Sequence, residues 1–356
     1  MRQISFRSLL LVATIAVFSI AHGVVAQSAA TALASLPEAD AVIYLSPQRI
    51  LNEAAPRVVP AADLAKMRTV LADLKSQAGV DLASLEYLVV AVRFNKPASN
   101  LSFVAPDVLL VLGGDFSSDS LLTLGQLYLQ DSARVEQYGS KSITVMTIDP
   151  LVAETQKNPM LKPYAQLGAF ALTANSLAIG NLAYLKSAVD AADGAGRIDS
   201  MTIQSLLRDP NALVAASGAP LASFAKSFGL LGLEDSPRES RFDTRFGNFY
   251  AALTMSGVNF HFRGAMNVDN PDTAKIIYGL ISGLVQQGIE AVPDKNAQTI
   301  LQTLKMEAKE SEIVWQADIP EKMVADLLKP APPAATTAPP AKKPPTGRPV
   351  KKKRSP

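Results

Sequence analysis

The stretch FYAALTMSGVNFHFRGAMNVDNPDTAKIIYGLISGLV, residues 249–285, contains the two kinds of pattern that decide the fold class. Residues 249–255 and 258–268 are apolar, β-rich runs on either side of Ser256-Gly257, which predicts a hairpin. Asn270-Pro271 then marks the start of a helix, because Asn caps helices and Pro fits their first turn. A hairpin followed by a helix favours an α+β fold over strict strand–helix alternation.

A second hairpin followed by a helix is predicted within residues 169–192, where two apolar runs flank Asn175-Ser176. We therefore predict two repeated hairpin–helix units. Further strands are predicted at 41–45, 86–94, 107–112, 143–148 and 312–319, and further helices at 63–78, 121–129 and 320–328. The predicted fold is α+β, with a mixed, largely antiparallel sheet and helices packed on it.

Residues 1–26 have the pattern of a signal peptide. Two arginines precede an apolar run at 9–20, and Val24-Val25-Ala26 offers the residues that a signal peptidase reads. Cleavage is expected between Ala26 and Gln27. The apolar run is short for the ~30 Å hydrocarbon core of a bilayer, although retention as a membrane anchor is the alternative. We expect an exported protein, periplasmic or extracellular.

The rest of the chain divides into three regions. These are an N-terminal α+β region (27–235), a C-terminal α+β region (236–329; a hairpin, two helices, a strand and a helix) and a tail (330–356). The boundary between the first two falls in a stretch rich in Gly, Pro, Ser and charged residues, 217–245. The chain from Lys329 onward contains nine prolines and no aromatic residue. Such a composition cannot bury enough apolar surface to fold, so the tail is predicted to be disordered.

The formal net charge of +2 hides a strong asymmetry. From Lys329 onward there are eight basic residues and no acidic one, whereas Gln27 to Leu328 holds 24 basic residues against 32 acidic ones. A nucleic-acid-binding domain normally carries its basic patch on the fold, so nucleic acid is not an expected partner. We expect the tail to contact an anionic envelope polymer or a membrane surface. The predicted contact residues are Lys342, Lys343, Lys351, Lys352, Lys353 and Arg354. A tail that only increases solubility is the alternative.

Residue types that carry catalysis are scarce. The chain has no cysteine, and His261 is the only histidine after the predicted cleavage point. Thiolate nucleophiles and zinc–thiolate sites are therefore excluded, and a Ser-His-Asp mechanism would have to use His261. Because His261 alternates with Phe260 and Phe262, we predict that it lies on the solvent-facing side of a strand. No catalytic, cofactor-binding or metal-binding residue is assigned, and no cofactor is expected.

Three short motifs resemble parts of known functional sites. Ser223 and Lys226 match the S-x-x-K motif of penicillin-binding proteins, but the S-D-N and K-T-G partners are missing. Residues 113–116, GGDF, share part of the G-G-D-E-F signature of cyclic-dinucleotide synthases, with Phe116 in place of the acidic residue. A group of three carboxylates lacks the EF-hand spacing: Asp190, Asp193 and Asp199. A turn or a surface helix explains each motif without a ligand.

The run Leu36-Pro37-Glu38-Ala39-Asp40-Ala41-Val42, followed by Gln48-Arg49-Ile50 and by Gly79-Val80-Asp81, resembles uncharacterised secreted bacterial proteins, especially of the acidobacterial kind. The unit at 169–192 and Ile319-Pro320 with its helix are similar to a broader family of exported domains of unknown function. The resemblance covers most of the body. It implies export and an α+β fold, and it supplies no functional residue.

These patterns favour an exported, non-enzymatic envelope protein. Its acidic body would bind a protein partner of unknown identity, and its cationic tail would bind anionic envelope material. The alternative is a periplasmic enzyme or small-ligand binder that uses carboxylate, serine and lysine side chains. A deep pocket with converging carboxylates would favour the alternative.

Overall fold

The computed structural model describes most of the chain between residues 25 and 328. The described residues are 25–78, 81, 84–95, 105–129, 132–147, 152–154, 157–218, 247–292 and 295–328. The predicted boundary stretch at 217–245, the pair Ser223 and Lys226, and the predicted tail contacts lie largely or wholly outside these residues.

The centre of the fold is a twelve-stranded sheet in which every pairing is antiparallel. Its strands are β1 Ala41–Leu45, β2 Leu85–Arg93, β3 Asp107–Gly114, β4 Ala133–Tyr138, β5 Lys141–Met146, β6 Leu167–Thr173, β7 Ser176–Asn181, β8 Val214–Gly218, β9 Phe249–Ser256, β10 Asn259–Asn267, β11 Lys305–Lys309 and β12 Glu312–Pro320. Their order across the sheet is β11-β12-β10-β9-β8-β1-β2-β3-β7-β6-β5-β4.

The helices are the second layer. They are α1 Val25–Ala34, α3 Ala61–Ala78, α4 Ser118–Leu129, α5 Leu182–Ala192, α6 Ser200–Leu206, α7 Pro271–Ala291, α8 Lys295–Gln302 and α9 Glu321–Leu328. A further helical segment, which we call α2, joins Pro47–Arg49, a π-helical turn Ile50–Ala54 and Ala55–Val58. A 3-10 helix runs over Pro159–Ala165.

The sheet consists of two halves with the same strand order. From the centre outward, one half reads β1-β2-β3-β7-β6 and the other reads β8-β9-β10-β12-β11, while the hairpin β5-β4 extends the first half. The halves join where β1 pairs antiparallel with β8, so a pseudo-twofold axis passes between these two strands. In both halves the third strand is followed by a helix on the same side of the sheet, α4 in one and α7 in the other. The topology is therefore a duplication.

One side of the sheet, which we call the front face, holds the largest core. Alternate residues such as Val42, Val89 and Val111 point to it, because side chains of a strand alternate between faces. Helices α1, α5 and α6 cover these strands and contribute Leu33, Leu185 and Leu206 among others. The predicted cleavage point between Ala26 and Gln27 lies in the first turn of α1, just before this buried segment.

The opposite side, the back face, is covered by the remaining helices. In the C-terminal half, α2 and α9 pack near Phe260, while α7 packs against Met266 and Ile313. Helix α3 packs on α2, and α8 contacts α7 and α9. In the N-terminal half, α4 lies over β6 and β5, where Gln126 Nε2 donates a hydrogen bond to Thr144 Oγ1.

The predicted fold class is confirmed. Both predicted hairpin–helix units are present, as β6-β7-α5 and β9-β10-α7. The two units are not copies of each other, however. In the duplicated strand order, β6-β7 corresponds to β11-β12, and β9-β10 corresponds to β2-β3. The last helix begins at Glu321, one residue later than predicted, because Pro320 still pairs with Asn259. Within the described part of the chain, no helix is both long and apolar enough to cross a bilayer.

Candidate functional site

Two cavities lie at opposite ends of the strands on the front face of the N-terminal half. The larger has a volume of about 590 Å³, and we call it the hydroxyl cleft. It lies between α1, the start of β2, the end of β3 and the turn between β6 and β7. Its lining residues are Thr31, Ala32, Glu86, Tyr87, Gly114, Asp115, Thr173, Asn175 and Ser176.

A chain of hydroxyl groups forms the floor of the hydroxyl cleft. Tyr87 shares a hydrogen bond with the side chain of Ser176, and Ser176 Oγ lies 2.6 Å from Thr173 Oγ1. Tyr87 and Ser176 are 3% and 2% exposed, whereas Thr173 is exposed, so the chain runs from the core to the surface. Gly113 makes room for it, because a Cβ atom there would lie 2.0 Å from Tyr87 Cζ. The GGDF motif at 113–116 is thus explained by packing and a strand end.

Burial keeps the tyrosines of this region in their neutral, proton-donating form. It raises the pKa of Tyr44 to about 12 and also raises the pKa of Tyr87, so both hydroxyl groups stay protonated at neutral pH. Among the described residues that line the cleft, the charged ones are two carboxylates, Glu86 and Asp115. Neutral donors with carboxylate acceptors suit a polyhydroxyl compound or an amine, and they disfavour an anion.

The second cavity has a volume of about 390 Å³, and we call it the arginine pocket. It lies at the other end of β1 and β2, beside α6 and the ends of β8 and β9. Its lining residues are Glu38, Ala39, Asp40, Arg93, Arg197, Ile198, Asp199, Thr202, Gly218 and Asn248. Both signs of charge line it, in contrast to the hydroxyl cleft.

A network of hydrogen bonds fixes Arg93 at the wall of the arginine pocket. Arg93 Nε and Nη2 donate to Asp107 Oδ2 at 3.2 and 2.8 Å, and Asn181 Nδ2 donates to Asp107 Oδ1 at 2.7 Å. The guanidinium carbon lies 4.4 Å from the centroid of the Tyr184 ring, and Tyr184 donates its hydroxyl proton to the carbonyl oxygen of Glu38. Burial raises the pKa of Tyr184. This arrangement leaves 34% of the Arg93 side chain exposed to the pocket.

Arg197 is fixed by backbone acceptors instead. Its Nε donates to the carbonyl oxygen of Ala191 at 2.8 Å, and its Nη2 donates to that of Ala192 at 3.3 Å. These bonds join the end of α5 to the chain that leads into α6. Both arginines of the pocket therefore have structural partners, and they stabilise the fold whether or not a ligand binds.

His261 lies on the front face of the C-terminal half, opposite Phe260 on the strand, as predicted. The structure adds a partner that sequence reasoning missed: Nδ1 of His261 lies 2.6 Å from Asp318 Oδ1 on β12. A carboxylate beside Nδ1 favours a proton on that nitrogen. Local sequence patterns cannot predict this pair, because 57 positions separate the two residues. Only the register of β10 and β12 brings them opposite each other.

The three carboxylates Asp190, Asp193 and Asp199 have separate structural roles. Asp190 accepts a hydrogen bond from the Tyr138 hydroxyl, and Asp193 accepts one from Ser140 at 2.6 Å. Asp199 caps α6 by accepting from the backbone N–H of Thr202. Over the part of the chain that the structure describes, no group of three or more His, Cys, Asp and Glu residues is arranged to hold a metal ion.

Comparison with known proteins yields structural neighbours only. No family model matches the chain, and no curated protein matches it. Crystal form III of TP0453 matches with a TM-score of 0.44 and 9% identity over 83% of this chain and 96% of that one. Crystal form IV gives 0.42 and 9%, and form I gives 0.40 and 11%, each over 83% of this chain and 95% of that one.

Proposed function

We propose that this is an exported, non-enzymatic envelope protein that binds anionic envelope material through its tail. The observation that carries the proposal is the separation of charge along the chain. From Lys329 onward the chain has eight basic residues and no acidic one, while Gln27 to Leu328 has an excess of eight acidic residues. A polybasic segment near an anionic surface contributes about 1 kcal/mol for each Lys or Arg. The acidic body is repelled by the same surface, so the tail would hold it at a distance.

The length and composition of the tail support this role. A proline-rich segment stays extended at roughly 3 Å per residue, so residues 330–356 would reach about 80 Å from the body. The body is left free to bind a protein partner. The front face of the C-terminal half offers a polar surface for this purpose, where Arg263, Gln316 and Asp318 are exposed. Export itself rests on the signal-peptide pattern of residues 1–26.

The test of the tail is co-sedimentation of the mature chain, residues 27–356, with anionic vesicles, neutral vesicles and cell-wall sacculi. We expect binding to anionic material that weakens from about 0.05 to about 0.2 M salt, because screening shortens the reach of the charges. A chain that ends at Lys329 is expected to bind at least roughly a hundred-fold more weakly.

A matched control separates charge from length. Substitution of Gln at Lys342, Lys343, Lys351, Lys352, Lys353 and Arg354 keeps the full-length tail and removes most of its charge. This variant should bind as weakly as the truncated chain. Equal binding by the truncated chain, or no binding by the intact chain, would show that the tail does not attach the protein to anionic material.

The hydroxyl cleft supports a second candidate function, that of a small-ligand binder. The supporting observation is its volume of about 590 Å³ together with a floor of buried hydroxyl groups. Isothermal titration with a panel of simple sugars and diamines would detect such a ligand. The variant Ser176→Ala breaks the hydroxyl chain and should weaken binding roughly ten-fold, since one lost hydrogen bond is worth about 1 kcal/mol. Heat changes that are the same for both proteins would argue against this use of the cleft.

A further inference from the structure

Strand β4 ends the sheet and keeps one row of backbone groups available. Among the strands that the structure describes, it pairs with β5 alone. Tyr138 and Lys141 flank the two-residue turn Gly139-Ser140, and in such a hairpin the flanking pair exchanges hydrogen bonds. The bonding direction alternates along a strand. Every second residue of β4, counted back from the one before Tyr138, therefore directs its N–H and C=O away from β5. These outward-bonding residues are Ala133, Val135 and Gln137.

An exposed apolar patch lies beside this open edge. Val135 of β4 is 58% exposed, and it faces the back of the sheet because its partner there is Thr144. Helix α4 covers the back face at this edge and presents Leu127, which is 67% exposed, and Tyr128, which is 68% exposed. Exposed apolar side chains next to an open strand are typical of a protein interface.

The other edge of the sheet is protected. All front-face residues of β11 are charged: Lys305, Glu307 and Lys309. Its back-face residues, Met306 and Ala308, pack against the core beneath α7 instead of forming an exposed patch. Charged edge residues without an exposed apolar patch beside them disfavour pairing with a second chain. The two edges of the sheet therefore differ, because an exposed apolar patch lies beside β4 and none lies on the described residues of β11.

The charges on β4 are complementary to themselves under a twofold axis. Arg134 and Glu136 point to the front face on either side of Val135, with side chains 51% and 31% exposed. If two β4 strands pair antiparallel with Val135 opposite Val135, each Arg134 lies directly opposite the Glu136 of the other copy. Opposite charges that face each other across a strand pair are stabilising. The same register brings the two Val135 side chains together.

We propose that a second copy of this chain docks on β4, with the twofold axis at Val135, so that the two sheets become continuous. The interface is isologous, as in most homodimers. On the back face, the two α4 helices would approach each other through Leu127 and Tyr128. The dimer does not depend on the tail, although it would place two tails on one particle and increase avidity for an extended polymer.

The first test is sedimentation equilibrium of the mature chain from about 1 to 100 µM, a range suited to a micromolar Kd. We expect a reversible monomer–dimer equilibrium that is unchanged when residues 330–356 are removed. Val135→Lys should weaken dimerisation at least roughly ten-fold, because it buries a charge at the axis. Lys305→Glu on the opposite edge is the matched control and should leave the equilibrium unchanged. Circular dichroism and thermal unfolding confirm that each variant is folded.

A charge-exchange experiment tests the register itself. Arg134→Glu places two carboxylates opposite each other in a homodimer, so it should be monomeric. Glu136→Arg does the reverse, and it is combined with Lys186→Glu because Lys186 Nζ donates a hydrogen bond to Glu136 in the native chain. Each variant alone should fail to dimerise, while an equimolar mixture should form a heterodimer.

Three outcomes would overturn the proposal. A wild-type chain that stays monomeric up to about 100 µM has no such interface. A dimer that persists unchanged in Val135→Lys uses another surface. A mixture of the two charge variants that stays monomeric, when both are folded and the wild type dimerises, contradicts the pairing of Arg134 with Glu136.

Discussion

Replacement of Tyr184 by alanine is expected to lower the free energy of unfolding by about 3–5 kcal/mol, the usual loss when a large buried aromatic side chain is truncated. Tyr184 is fully buried between α5 and the sheet. Its ring also supports the guanidinium of Arg93 from 4.4 Å, and its hydroxyl bonds to the carbonyl oxygen of Glu38. Truncation therefore opens a cavity and leaves two polar groups with poorer partners. Urea denaturation of the mature chain measures the loss.

Tyr184→Phe is the control for this prediction. It keeps the ring, the packing and the contact with Arg93, and it removes only the hydroxyl group. We expect a loss of about 1 kcal/mol, the typical contribution of one hydrogen bond. Equal losses in the two variants would mean that the hydroxyl group, and not the filled volume, determines the stability at this position.

Replacement of Asp107 by alanine is expected to lower the free energy of unfolding by about 2 kcal/mol, the typical loss when hydrogen bonds to a charged group are removed. The Asp107 side chain is 6% exposed and accepts hydrogen bonds from Arg93 and from Asn181. Its removal leaves the half-buried Arg93 guanidinium without its carboxylate and the Asn181 amide without its acceptor. The Asn181 amide is buried, so the loss of its acceptor leaves it with an unmet desolvation cost, while the remaining charge of Arg93 is partly solvated. The measurement is again denaturant unfolding.

An exposed ion pair provides the comparison for Asp107. Glu307 and Lys309 lie 3.0 Å apart with 62% and 58% of their side chains exposed. Glu307→Ala should change stability by no more than about 0.5 kcal/mol, since exposed pairs contribute little. If Asp107→Ala is as mild as Glu307→Ala, the network at the arginine pocket does not hold the ends of β2 and β3 together.

The sequence predicted the fold class because its clearest patterns belong to the central strands and long helices. Strands β2 and β3 are nearly continuous apolar runs, and Asn270 caps α7 through a hydrogen bond from Thr273 N–H. Strands β4 and β11 were missed because edge strands are polar, with sequences ARVEQY and KMEAK. Helix α1 and strand β8 were missed because alanine and serine dominate them and give no clear period.

The candidate sites were mostly beyond the reach of sequence reasoning. The hydroxyl chain joins Tyr87 to Ser176, and the arginine network joins Arg93 to Asn181. In each case residues far apart in the chain meet because β2, β3 and β7 are neighbours in the sheet. Strands β2 and β3 were each predicted, but the insertion of β7 next to β3 requires the chain to return after three further strands, β4, β5 and β6. No local pattern encodes that return.

Export and attachment by the tail are tested together by the intact mass of the protein that a salt wash releases from bacterial envelopes. In cells that express residues 1–356, we expect a species that begins at Gln27, stays with the envelope at about 0.05 M salt and elutes at about 0.5 M. A chain ending at Lys329 should be recovered without the wash. Recovery of a species that still begins at Met1 from the cytoplasm would contradict export. If the protein stays with the envelope at every salt concentration and also without residues 330–356, the electrostatic attachment is contradicted.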